Sequence, residues 1–178
     1  MFFKVFVICL FVGLPQSFAQ NLAIAHEVQS RYKKLAYARD IYLWGKDDYW
    51  ATSLETLREM SGDCEDIAIA KFFSMLSRGV DVELLRLSYV YQRDQIHMVL
   101  EYSVGSKVYV LDNQQDSVYK SDQHYNSKVI ASFNHQYLWV GGRIVDSAIA
   151  RLAKWNELLI RVPAEDLSRL LLLEELLE

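Results

Sequence analysis

The sequence predicts an α+β domain in which one buried helix packs against an antiparallel sheet, and three observations carry that prediction. A segment from Asp63 to Arg78 has an interior, Ile67 to Phe73, that is apolar almost all round, so as a helix it is buried on most sides. Directly after it the pattern changes to short runs rich in Val, Leu and Tyr: Leu84 to Tyr91, Ile96 to Ser103 and Lys107 to Asp112, which read as strands. Beyond Asp146 a helical period returns through Ile149, Leu152, Ala153 and Leu159.

The chain has 178 residues, which fits one domain with a continuous core. Charged residues at 24% and apolar residues at 52% exclude a disordered chain. A net charge of -4 leaves no basic field to recruit nucleic acid or anionic lipid. The first 19 residues read as an export signal: Lys4 gives a positive start, Val5 to Leu14 an apolar run, and Ser17-Phe18-Ala19 a small-x-small cleavage site. That run is too short for a membrane span, which needs about 20 residues. Three parts follow: a signal peptide over 1–19, a catalytic domain over 20–162 and a leucine-rich helical tail over 163–178 that packs on the domain or on a partner.

Cleavage changes the cysteine arithmetic. Cys9 leaves with the signal, so the mature chain holds a single thiol, Cys64, which has no internal disulfide partner. A buried cysteine acting as a small hydrophobe is the bland account of it. Its setting points to chemistry instead.

Taking the elements in order, Gln20 to Asp40 reads as a first helix, with Ala25, Val28, Tyr32, Leu35 and Ala36 at near-helical spacing. An aromatic loop from Tyr42 to Trp50 leads to a short helix, Leu54 to Met60, with Ser53 as its N-cap. Ser61-Gly62 breaks the chain, Asp63 starts the central helix, and Gly79 follows it at the C′ position. Gly105 marks the turn between the second and third strands, and Ile130 to Val140 supplies a further strand before Gly141-Gly142.

Cys64 falls in the first turn of the central helix, where the positive end of the helix dipole favours a thiolate. Asp63, Glu65 and Asp66 oppose this by like-charge repulsion. A bound cation would relieve it, and hard carboxylate oxygens suit Ca²⁺, although the spacing is not that of an EF-hand and the acids could equally be a solvated cap. His97 lies on the second strand and Asp112 at the end of the third. If Val104-Gly105 is the hairpin loop the two stand opposite each other, and if Gly105-Ser106 is the loop they are diagonal. In both registers they share a face, because side-chain direction repeats every two residues. Asn113 points to the other face. Thiol, imidazole and carboxylate thus occur as nucleophile, base and orienting group. His26, His124 and His135 have no partners at metal-ligand spacing, and Trp44, Trp50, Trp139 and Trp155 read as core, Trp50 being the one of them placed where it could line a cleft.

Trp50-Ala51-Thr52, Gly62-Asp63-Cys64-Glu65-Asp66-Ile67-Ala68-Ile69-Ala70-Lys71, His97-Met98-Val99-Leu100 and Val110-Leu111-Asp112-Asn113 together resemble the bacterial transglutaminase-like cysteine proteinases, and within them the LapG-like periplasmic adhesin proteases. The resemblance implies a papain-like, transglutaminase-like core, with Cys64 as nucleophile, His97 as general base and then acid, and Asp112 orienting it. It also implies Ca²⁺ held by Asp63, Glu65 and Asp66, a periplasmic location, and a large repeat-containing surface adhesin as substrate. The adhesin would be cut in its N-terminal region, releasing the biofilm. The implied inhibitor is the periplasmic domain of an inner-membrane cyclic-di-GMP receptor. The backbone N–H of Cys64 is the first oxyanion donor, with the Trp50 loop a source for a second. Two rival readings remain: a transglutaminase-like acyl transferase, and an inactive calcium-binding interaction module.

Overall fold

The computed structural model describes residues 17–123, 128–145, 152–162 and 166–177. Along the chain run helix α1 (Phe18–Tyr32), strand β1 (Ala36–Tyr37), the short helices α2 (Asp40–Leu43) and α3 (Ser53–Glu59), and strand β2 (Ser61–Gly62). Next come the central helix α4 (Cys64–Ser77) and strands β3 (Leu85–Gln92), β4 (Gln95–Val104), β5 (Lys107–Leu111) and β6 (Tyr119–Lys120). Strands β7 (Lys128–Phe133), β8 (Leu138–Val140) and β9 (Arg143–Val145) and helices α5 (Ala153–Arg161) and α6 (Asp166–Glu174) complete the order. Among the described residues the main sheet has seven strands, β6-β5-β4-β3-β7-β8-β9, every neighbouring pair antiparallel. The α+β prediction holds.

Helix α4 obeys its sequence signals. Asp63 caps it by accepting a hydrogen bond from the Asp66 N–H, and Gly79 follows the C-cap with a φ of +84°. Ile67, Ile69, Ala70, Phe72 and Met75 are buried against the sheet and α1, as an all-round apolar helix requires. Trp155 of α5 closes the core, edge-on to Phe72 at 5.7 Å and to Phe133 at 5.4 Å.

Three boundaries differ from the sequence reading. The first helix stops at Tyr32 rather than Asp40, because Ala36–Tyr37 leaves the helical path to pair in parallel with Ser61–Gly62. Thr52, not Ser53, caps α3: its hydroxyl accepts from the Glu55 N–H while Glu55 accepts from the Thr52 N–H, a reciprocal capping box. The segment Ile130 to Val140 is two strands, broken at Asn134, whose Oδ1 accepts from the N–H groups of Gln136 and Tyr137. The apolar run of the export signal lies outside the described residues. Ser17 caps α1, and no described helix is long and apolar enough to cross a membrane. The tail packs on the domain: Leu170 and Leu177 are buried, and Glu174 accepts from Tyr32 Oη at 2.7 Å and pairs with Arg78.

Gly62 sets how closely β2 can approach the start of α4. A Cβ there would lie 2.7 Å from Asp66 Cβ and 3.1 Å from Asp66 Oδ2. Gly62→Ala is therefore expected to lower stability by about 1–3 kcal/mol through overpacking, seen as a reduced Tm.

Candidate active site

Cys64 opens α4 and is partly buried. Its thiol donates to Glu65 Oε2 at 2.9 Å, while the Met98 backbone N–H, from the strand that carries His97, donates to the sulfur. Burial pushes the thiol well above its ordinary range, with the Glu65 charge and hydrogen bond adding to the rise and the Met98 N–H opposing it. Cys64 and His97 line one cavity of about 530 Å³, together with Tyr37, Arg93, Ile96 and Gln114.

The hairpin geometry decides how His97 meets Asp112. Val104 pairs with Lys107, so Gly105-Ser106 is the loop, and Leu100 pairs with Leu111, the diagonal of the two registers. The shared face brings His97 Nε2 to 2.8 Å from Asp112 Oδ1, both side chains buried. With Nε2–H donated to the carboxylate, the basic lone pair is left on Nδ1. Burial alone would raise the Asp112 pKa. The His97 hydrogen bond and charge, with the Gln114 N–H donating to Oδ1 at 2.8 Å, outweigh it and hold the carboxyl below its usual value. On the same face Val90, Val99 and Val110 form a small cluster behind the pair, against which Tyr119 packs.

The acids beside Cys64 form part of a larger group. Carboxylate oxygens of Asp40, Asp63 and Asp66 lie within 4.8 Å of one another, and so do those of Asp40, Asp48 and Glu65. Asp40, common to both sets, was not singled out from sequence. It reaches the others because β1 pairs with β2, a contact that no spacing announces. Burial, then the charges of Glu65, Asp66 and Asp40, pushes Asp63 up to about 8. Burial and the charges of Asp40 and Glu65 push Asp66 up to about 7 against the N–H of Ala51, which donates to Oδ1 at 2.7 Å. Asp40 Oδ1 and Asp66 Oδ2 are buried without a hydrogen-bond partner. An all-oxygen set with two orphaned carboxylate oxygens fits a hard divalent cation. Asp48 also pairs with Lys154 of α5.

The remaining residues fall as follows. Trp50 belongs to the core, as its main sequence reading has it, and does not line the cleft: it is 5% exposed and stacks on Phe133 at 5.8 Å. Its neighbour Ala51 commits its N–H to Asp66 rather than to an oxyanion. Asn113 lines the cavity without replacing Asp112 as the histidine's partner. His26 is exposed, His135 is half-buried in the β7–β8 turn with its pKa lowered by burial, and His124 lies outside the described residues.

The sequence profile of the bacterial transglutaminase-like cysteine proteinases (BTLCP) matches residues 14–146. Comparison with curated sequences gives no significant match. Among solved structures the chain is similar to calcium-bound LapG of Legionella pneumophila, at 31% identity over 78% of each chain with a TM-score of 0.70. It is similar in the same degree to the EGTA-treated form of that protein, at 31% identity over 78% of this chain and 77% of the other, with a TM-score of 0.69.

The raised Asp63 and Asp66 pKa values have a thermodynamic consequence. A carboxyl that holds its proton more tightly folded than unfolded makes the folded state bind more protons between its two pKa values, so stability falls as pH rises across that window. In chelator the Tm is expected to drop from pH 5 to pH 7, through the range set by values of about 7 and about 8. Asp66→Asn should flatten that slope. An unchanged slope in the variant counts against the cluster.

Proposed function

The chain belongs to the bacterial transglutaminase-like cysteine proteinases, and from that premise we propose that it is a calcium-dependent periplasmic endopeptidase that cuts a large repeat-containing surface adhesin in its N-terminal region. The observation that carries the peptidase chemistry is the cavity shared by Cys64 and His97, with His97 hydrogen-bonded to Asp112 at 2.8 Å. In this reading Nδ1 of His97 takes the Cys64 proton as sulfur attacks the scissile carbonyl carbon. The oxyanion then accepts from the Cys64 backbone N–H at the start of α4. Collapse of the tetrahedral adduct breaks the C–N bond, and the imidazolium returns its proton to the leaving amine. Water, deprotonated by His97, hydrolyses the thioester. Asp112 holds the ring and stabilises its charged form.

Asp63, Glu65 and Asp66, with Asp40 added by the fold, are the residues proposed to hold calcium. Bound there, calcium would supply the positive charge that offsets these carboxylates, including the one that accepts the Cys64 proton bond. The calcium-bound state of the similar Legionella protein supports the choice of ion. Release of the adhesin would disperse a biofilm, and the periplasmic domain of an inner-membrane cyclic-di-GMP receptor is the proposed inhibitor.

The test uses the full chain and a recombinant N-terminal fragment of a large repeat-containing adhesin from the same genome. Calcium should yield two products with one new N-terminus, and EGTA or Cys64→Ala should abolish cleavage. Asp112→Asn should lower kcat by about 10³–10⁴-fold. Incorporation of a primary amine without a new terminus would instead identify acyl transfer. An intact fragment with calcium present and Cys64 reduced would contradict the reading.

A further inference from the structure

Lys71 is an anomaly in the core. It lies two turns beyond Cys64 on the same face of α4, among apolar neighbours, and is fully buried. A buried ammonium is retained against a large desolvation penalty, and replacing it with an apolar side chain is often stabilising. The Cys64, His97 and Asp112 chemistry makes no direct use of it.

Its contacts lead to the catalytic carboxylate. Lys71 Nζ donates to Gln29 Oε1 at 2.8 Å. Gln29, on α1 and 1% exposed, uses its Nε2 to donate to two carbonyl oxygens of one turn, Asp112 O and Gln115 O, each at 2.7 Å. The same turn is closed by Gln115 N–H to Asp112 O at 3.1 Å and by Gln114 N–H to Asp112 Oδ1. Lysine can only donate, so it fixes which end of the Gln29 amide faces the turn. Two amide hydrogens then clasp the backbone of Asp112 and the residue that ends the turn. Burial lowers the Lys71 pKa to about 7, with the Asp112 charge acting in the opposite sense.

We propose that Lys71 and Gln29 form a positioning strut that ties the helix bearing Cys64 to the Asp112–Gln115 turn and so sets the Asp112 carboxylate against His97. The strut rests on the assignment of Cys64, His97 and Asp112 as the reacting groups. Neither residue touches the reacting atoms. Both act through the place of Asp112, where small displacements are expensive in rate.

Acylation of Cys64 by 4-nitrophenyl acetate, read as nitrophenolate release by the full chain in calcium, provides the test. Lys71→Met and Gln29→Leu should each slow acylation by about 10–100-fold, with Tm retained in Lys71→Met. In an Asp112→Asn background either change should slow it less than about twofold further, because the group it acts through is gone. The pH profile of acylation should change shape in both variants and not only in height, a change that a purely structural role would not produce. Should Lys71→Met fail to fold, Gln29→Leu, which keeps the lysine and removes both bonds to the turn, decides alone. Acylation within twofold of wild type, or losses that multiply with Asp112→Asn, overturns the strut while leaving the thiol chemistry intact. If Cys64→Ala itself releases nitrophenolate as fast as wild type, the thiol assignment falls and the strut with it.

Discussion

Everything in this domain is organised around the crowding of carboxylates at the first turn of α4. Asp63 caps the helix, Asp66 accepts the Ala51 N–H, and Asp40 is drawn in by the β1–β2 pair. The same groups that fix the loop before α3 therefore place like charges beside the only thiol among the described residues. Satisfying backbone N–H groups and concentrating negative charge are one arrangement seen from two sides. Burial penalises each ionised acid and the neighbouring charges add to that cost, which is why Asp63 and Asp66 hold their protons so tightly. A hard cation is the natural complement to such a group.

The sheet supplies the other half of the site by register rather than by crowding. A two-residue turn at Arg93-Asp94, both at positive φ, pairs Gln92 with Gln95 and begins β4 just before His97. The Gly105-Ser106 turn then returns the chain so that Asp112 stands on the same face. A slip of one residue in that hairpin would move Asp112 to the opposite face. From the far side, Gln29 and Lys71 fasten the Asp112 turn to the helices, and Arg161 of α5 donates to Trp50 O, fastening the loop that carries Ala51. The site is thus held by elements from both ends of the sequence.

Much of this was legible in the sequence, and the misses share a cause. The limits of α4 follow from Asp63 and Gly79, and the face shared by His97 and Asp112 follows from parity alone. Local signals missed were the Thr52–Glu55 capping box, visible as a three-residue spacing, and the buried lysine inside an otherwise apolar helix. Other features had no local signal. The end of the first helix depends on a parallel pairing with β2, and the entry of Asp40 into the acidic group depends on the same pairing. Periodicity reports which face of an element is apolar. It says little about which distant segment will cover it.

The account stands on His97 acting on Cys64. The most direct measurement is the rate of Cys64 alkylation by iodoacetamide across pH, in calcium, for the wild-type chain and for His97→Ala. Reaction near neutral pH should exceed that of a free model thiol by about tenfold or more, and the histidine variant should lose that advantage. Superimposable profiles for the two proteins, with reactivity appearing only at high pH, would contradict it.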